Sequence, residues 1–437
     1  MTTHLPLRHS PLRCFVAAAV LTAASALTPA WAQSPQPVAP VLALAKAAKA
    51  PLLDTLKALC EIESGSRDTE GLARLADLIA GRLKALGGDV QLVDVNGGEV
   101  YRMEDTPPAI GKAVRATFTG TGSKKILLIA HMDTVYLKGM LQKQPFRVQG
   151  DKAYGLAIAD DKQGIAVILH VLEMLKALNF RDYGTLTVLV NGDEEISSPG
   201  SRALLTKLGA EHDATLSFEA SRAESDKLSL ATAGIASVTL DVQGRASHAG
   251  SAPERGVNAF YEMAHQVLQM RNLSDPATGV KLNWTLAKAG SNRNVIPETA
   301  QAQADVRVLR VADYDGVERT VRERAKTQLI PEAKVAIVFE RRRPPLEASP
   351  ASQALARRAQ AVYRELGKDL VVDSVAEGGG TDAAFAALAT KNAVVERFGL
   401  QGFGAHSTNA EYVLVDSIEP RLYLAARLIM EVAREGR

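Results

Sequence analysis

Short clusters of imidazole and carboxylate side chains carry the chemistry this sequence could do. They are His131-Met132-Asp133, Asp160-Asp161-Lys162 followed by Gly164, Asp193-Glu194-Glu195, a lone Glu219, and His406 within Gly402-Phe403-Gly404-Ala405-His406-Ser407. In the first, a carboxylate two residues after the imidazole can hold its second ring nitrogen, the usual support of a metal-binding His. Taken singly, each acidic cluster fits a helix N-cap or a solvated turn equally well. Brought together they would repel one another strongly unless cations compensated them. A donor set of His and carboxylate without thiolate suits Zn²⁺ or a similar divalent ion in a catalytic rather than a structural site.

The elements that must position these residues alternate. Helices are expected from about Leu52 to Ile62 and from Glu70 to Leu86, after a loose Ala-, Pro- and Gln-rich lead over residues 33–50. Apolar β-type runs at Val114–Phe118, Ile126–Ala130, Leu186–Asn191 and Thr215–Phe218 then alternate with helical segments at Lys162–Leu178 and Ser201–Lys207. The pattern predicts an α/β fold with a mostly parallel, buried sheet. The clusters fall just after strands, and ligands of open α/β sheets bind beyond the carboxyl ends of strands. From about Gly234 to Arg343 the order becomes strand, helix, two strands, helix, strand, which predicts an inserted α+β unit of ferredoxin-like, split βαβ character. The expected division is a signal peptide at 1–32, a catalytic domain in two parts at 33–233 and 344–437, and a lid domain at 234–343.

Composition narrows the classes. The 437 residues are 46% hydrophobic and 23% charged, which excludes disorder, and 51 basic against 49 acidic side chains leave no electrostatic footprint for nucleic acid. Arg8 and Arg13 precede an apolar run from Cys14 to Leu27, and Ala30-Trp31-Ala32 precedes Gln33. This reads as a cleaved secretory signal, because the run is shorter than the about 20 residues a membrane-spanning helix needs. The mature chain keeps one thiol, Cys60, in a helix-core pattern with Leu56 and Leu59, and has no internal disulfide to depend on. Of the eight His, His4 and His9 leave with the signal, His170 and His265 read as packing or surface residues, and His212 lies in a polar loop. His131, His248 and His406 remain.

In order and approximate spacing these clusters resemble the co-catalytic zinc metallopeptidases, which include glutamate carboxypeptidases, aminoacylases, succinyl-diaminopimelate desuccinylases and certain dipeptidases. The resemblance covers nearly the whole mature chain. The strings Asp133-Thr134-Val135-Tyr136-Leu137-Lys138-Gly139, Ser247-His248-Ala249-Gly250 and Gly378-Gly379-Gly380-Thr381-Asp382-Ala383 most resemble the periplasmic, folate-cleaving glutamate carboxypeptidases of glucarpidase type. The resemblance implies two Zn²⁺ per subunit bridged by Asp160, one completed by His131 and Glu219 and the other by Glu195 and His406. Asp133 would orient His131. Glu194 would be the general base, binding no metal. Two dications, three carboxylates and a bridging hydroxide sum to zero with both His neutral. Amide hydrolysis needs a strong nucleophile, a polarised carbonyl and a proton for the leaving amine; a dinuclear site supplies the first two and Glu194 the third.

Substrate recognition is expected from the lid. By the same resemblance His248 stabilises the tetrahedral oxyanion, in a dimer that of the partner subunit; read from its own surroundings it is an exposed turn His. Arg307 in Asp305-Val306-Arg307 and Asn294 in Asn292-Arg293-Asn294 match positions that hold a substrate carboxylate, for which the planar guanidinium is suited; a strand-edge surface cation is the other reading of Arg307. Gly379, Gly380 and Thr381 can offer backbone N–H groups. Arg343 falls near the hinge, although Arg341-Arg342-Arg343 also reads as a solvated face. Ile196-Ser197-Ser198-Pro199 and Ala220 depart from the pattern of the most similar relatives, near the cleft but at no expected ligand. The expected protein is a secreted, periplasmic dizinc carboxypeptidase releasing a C-terminal amino acid such as glutamate from folate-type or N-acyl substrates. It is expected to be a homodimer through the lid, without contact to nucleic acid or, once the signal is removed, membrane. An N-acyl amino-acid amidohydrolase of other specificity is the alternative within enzymes, and a periplasmic solute-binding protein the alternative from another class.

Overall fold

The computed structural model describes residues 36–407 and 411–435; the expected signal peptide lies outside them. The central sheet has six strands in the order Asp89–Val93, Ala113–Thr119, Thr185–Asn191, Lys125–His131, Ala214–Ser217 and Ala393–Val395. The last four run parallel, and the first two add an antiparallel edge. Side-chain alternation along Lys125–His131 sends Ile126, Leu128 and Ala130 into one core, with helices Thr69–Ala85, Gln163–Ala177 and Ile418–Ala433. Leu127 and Ile129 go to the opposite core, with helices Arg202–Glu211 and Ala383–Ala387. Burial on both faces explains why these strands read as continuous apolar runs.

The register sets the site. His131 pairs with Asn191, and Ile129 with Ser217, so the three neighbouring parallel strands end within two residues of one another. The turns beyond them therefore open on one edge.

Gly234–Arg343 holds a four-stranded antiparallel sheet in the order Lys281–Ala289, Thr299–Val308, Gly234–Gln243, Lys334–Arg343. Helices Ala259–Met270 and Asp313–Arg324 pack on one face, where Met270, Tyr314 and Val321 meet Ala236, Val238 and Val306. The strand order is the one a split βαβ arrangement gives.

One expectation needs correction. Part of the supposed loose lead is a helix, Ala39–Ala47, with a proline in its first turn, where a missing N–H costs nothing; Val41 and Ala45 are buried, and the Val38 amide donates to Tyr423 Oη at 2.8 Å. His212 lies in a loop, as expected, but out of solvent. It is buried, bonded through Nδ1 to the Leu208 carbonyl at 2.7 Å and through Nε2 to Thr187 Oγ1 at 2.8 Å. A small five-stranded sheet, built from Arg147–Gln149, Lys152–Tyr154, Tyr412–Leu414, Gln401–Phe403 and Ser221–Arg222, was not anticipated. Strands of two or three residues are too short to show a period.

Gly164 lets the helix Gln163–Ala177 approach the end of the strand Ala214–Ser217. A Cβ there would lie 2.5 Å from the Phe218 carbonyl and from Asp161 Oδ1. Gly164→Ala is expected to destabilise the fold by about 1–3 kcal/mol through overpacking, read as a lower urea midpoint with an unchanged slope.

Candidate metal centre

His131 is the last residue of its strand and is buried. Its Nδ1 donates to the Asp133 carbonyl at 3.1 Å and lies 3.4 Å from Asp133 Oδ1, which turns Nε2 toward Asp160 Oδ1 at 3.0 Å and Glu219 Oε1 at 3.4 Å. On the other side His406 Nε2 lies 3.2 Å from Asp160 Oδ2 and 3.2 Å from Glu195 Oε2. Two trios result, His131/Asp160/Glu219 and Asp160/Glu195/His406, each with its ligand atoms within 4.8 Å of one another. Asp160 belongs to both, one oxygen facing each side. The donors, one imidazole and two carboxylates per trio, fit a pair of divalent cations of the zinc type.

Asp133 braces the assembly. Fully buried, it accepts from Ser66 Oγ at 2.8 Å and from the amides of Glu194 and Glu195, each at 3.0 Å. The same carboxylate that faces His131 thus pins the turn carrying Glu194 and Glu195. Next to it, Asp193 accepts from the amides of Gly200 and Ser201 at 2.8 and 3.0 Å.

The electrostatics arise from crowding. Burial opposes protonation of His131, but Asp133, Asp160 and Glu219 outweigh it and push its pKa well above the ordinary value. Hydrogen bonds to Asp160 and Glu195 push His406 up to about 11. Burial and the Asp160 charge push Glu195 up to about 7. Negative charge that draws protons onto imidazoles draws metal cations equally, and a bound cation displaces those protons.

Glu194 is buried beside both trios and belongs to neither. Its carboxylate accepts from Arg343 Nη1, whose Nη2 reaches the Glu194 carbonyl. Arg343 Nη1 also lies 3.2 Å from Asp382 Oδ1. Burial raises the proton affinity of Glu194 well above the ordinary carboxylate range despite this ion pair. The three consecutive arginines are thus not one solvated face. Arg341 is exposed and pairs with Asp315 and Glu318, whereas Arg343 is 4% exposed.

Asp160, Glu194, Glu195, Glu219, His406 and Arg343 line a cavity of about 480 Å³, with Gly379 and Gly380. His248, Asn294, Arg307 and Thr381 are not on its wall. His248 is exposed in the bridge Ser247–His248 to Val295–Ile296; its Nδ1 accepts from the amides of Gly250 and Ser251 at 3.1 and 3.2 Å, leaving Nε2 as the donor. The Asn294 carbonyl accepts from the Ala249 amide at 2.9 Å. Arg307 is held by Asp305 at 2.9 Å and donates to the Gly378 carbonyl at 2.8 Å. Thr381 is buried and accepts from the Ala383 amide at 3.1 Å.

Sequence reasoning passed over Glu411, a buried acid whose carboxylate accepts from the amides of Ala159 and Asp160. It stands alone in a loop, so no spacing marked it. Asp382 stood out only as part of its glycine string; its contact with Arg343 and Asn191 depends on long-range packing.

Comparison with known proteins agrees with this geometry. Residues 127–431 match the model of peptidase family M20/M25/M40. The chain is 47% identical over 381 residues to Carboxypeptidase G2 of Pseudomonas sp. (strain RS-16), covering 87% of this chain and 89% of that protein. Among solved structures it resembles a tripeptidase from Staphylococcus aureus, with a TM-score of 0.72 at 20% identity over 89% of this chain and 99% of that one. It also resembles the M20 family metallo-carboxypeptidase Sso-CP2 from Sulfolobus solfataricus, with a TM-score of 0.69 at 14% identity over 87% of this chain and 99% of that one. A strand-edge cluster of His and carboxylates, a family model spanning most of the sequence and a relative alike over nearly its full length make this chain a metallopeptidase of family M20.

Proposed function

We propose that the chain is a dizinc carboxypeptidase that hydrolyses the amide bond to a C-terminal amino acid, glutamate in folate-type or N-acyl substrates. The observation that carries this reading is the Asp160 carboxylate shared between two ligand trios, with Glu194 buried alongside and outside both. The 47% identity to a protein named Carboxypeptidase G2 supports the C-terminal direction of attack.

His131, Asp160 and Glu219 would hold one Zn²⁺, and Asp160, Glu195 and His406 the other. When bound, such a pair polarises the scissile carbonyl and makes a water molecule a nucleophile near neutral pH. Glu194 takes a proton at its carboxylate and returns it to the leaving nitrogen, and Arg343 holds that carboxylate in place. Gly379 and Gly380 on the cavity wall give a substrate carboxylate close access to backbone. Arg307, Asn294, Thr381 and His248 join the cavity only if the lid closes or a second subunit supplies them; with Nδ1 engaged, His248 Nε2 is the atom free to donate to an oxyanion.

In this reading residues 1–32 are a signal peptide that directs the enzyme to the periplasm, 33–233 and 344–437 form the catalytic domain, and 234–343 form the lid. No helix among the described residues is long and apolar enough to cross a membrane. Dimerisation through the lid is supported by its edge strand Lys281–Ala289, which pairs on one side only and leaves Leu286 63% exposed, and by exposed Tyr261 and Leu268 on helix Ala259–Met270.

The direct test is metal analysis of purified protein together with a release assay. Glutamate is expected to be freed from N-aroyl glutamates faster than hydrophobic residues from matched acyl conjugates, and the reverse order identifies an amidohydrolase of other specificity. Glu194→Gln is expected to keep its zinc while kcat falls about 10²- to 10⁴-fold; normal turnover removes the proposed base. Chains bearing His248→Ala and Glu194→Gln, each inactive alone, are expected to regain activity when mixed under subunit-exchanging conditions, and no recovery rules out a cross-subunit His248.

A further inference from the structure

Glu411 is 2% exposed and sits where three loops of the site meet. Its Oε1 accepts from two successive amides, Ala159 at 2.7 Å and Asp160 at 3.0 Å. Its Oε2 accepts from Tyr136 Oη at 2.5 Å, and the same hydroxyl lies 2.9 Å from the Ser407 carbonyl, next to His406. Gln144 Nε2 reaches that carbonyl too, at 3.2 Å. Tyr136 lies three residues beyond Asp133, so one buried carboxylate ties together the His131–Tyr136 segment, the Asp160 turn and the His406 loop.

The Asp160 turn needs such an anchor. Ala157 adopts φ +56°, and beyond it the amides of residues 159 and 160 point the same way into the protein. Successive amides so arranged form a concavity that binds an anion. Here the chain supplies the acceptor itself, one Glu411 oxygen that receives both amides. Asp160 must present one oxygen toward His131 and the other toward His406, and a small rotation of its backbone would withdraw one of them. We propose that Glu411 is a positioning residue that fixes Asp160 and the His406 loop relative to one another, and thereby sets the affinity of the centre for its pair of cations. The proposal rests on the reading of Asp160 as a ligand shared by two ions.

The three donors facing Glu411 are neutral, so a neutral acceptor of the same shape can replace it. The experiment measures zinc affinity of the purified protein by competition with a chromophoric chelator, together with kcat, KM and the unfolding temperature of the metal-free form. Glu411→Ala is expected to bind zinc about 10- to 100-fold more weakly, the usual cost of losing a group that orients a ligand, with KM at saturating zinc within about threefold of the parent. Glu411→Gln keeps the oxygen that accepts both amides and is expected to restore affinity to within about threefold of the parent. Should Glu411→Ala fail to fold, Tyr136→Phe removes a single hydroxyl, is expected to leave a folded protein with a modestly lower metal-free unfolding temperature, and is expected to weaken zinc binding measurably. Parent-like zinc affinity in the alanine variant, or in the phenylalanine variant standing in for it, overturns the proposal. So does a glutamine variant as impaired as the alanine one. A parent protein that binds no zinc defeats the metal-centre reading itself, an outcome distinct from all of these.

Discussion

Mutual repulsion among the carboxylates of Asp160, Glu195 and Glu219 is the constraint on which the rest of this structure depends. Parallel strands that end in register must deliver their outgoing turns to one edge, and this sequence places acids in those turns. Without a cation, the surplus charge raises the proton affinity of His131, His406 and Glu195. Divalent metal relieves it more completely, because one ion satisfies three donors at once. Fold and metal dependence are therefore a single design: the sheet creates the crowding that the metal resolves.

Precision comes from groups that bind no ion. Asp133 faces His131 on one side and on the other receives the amides of Glu194 and Glu195, so these three residues share a reference point. Asn191 and Ser198 both donate to Asp382, which carries this order to the glycine-rich turn before helix Ala383–Ala387. Such chains of buried, satisfied polar groups hold a site rigid where apolar packing alone would leave side chains free to turn.

How legible each part was in the sequence depends on the physics that forms it. Strands buried on both faces write themselves as unbroken apolar runs, so Ile126–Ala130 and Leu186–Asn191 were placed to within a residue or so of their observed ends, and the acidic turns after them came with the strands. The lid's elements were legible by alternating periods of two and 3.6. Illegible were features made by packing between distant segments. The helix Ala39–Ala47 owes its order partly to the chain's last helix, the short strands around Gln401–Phe403 to one another, and the burial of Arg343 to Glu194 and Asp382, 149 and 39 residues away. Spacing identifies an acid that stands in a cluster with a His; it is silent about Glu411, whose importance lies in which amides fold around it.

Arg343 is the last residue of the lid's last strand, and it pairs there with Ile235, the second residue of the lid's first strand. Both crossings of the chain between sheet and lid thus lie side by side at the guanidinium that grips Glu194. Swinging of the proposed lid about these crossings would turn the far end, with His248, through a long arc while scarcely displacing Glu194. Under the proposed lid reading, pivot and chemistry would coincide, so closure over a substrate would leave the contact between Arg343 and Glu194 undisturbed.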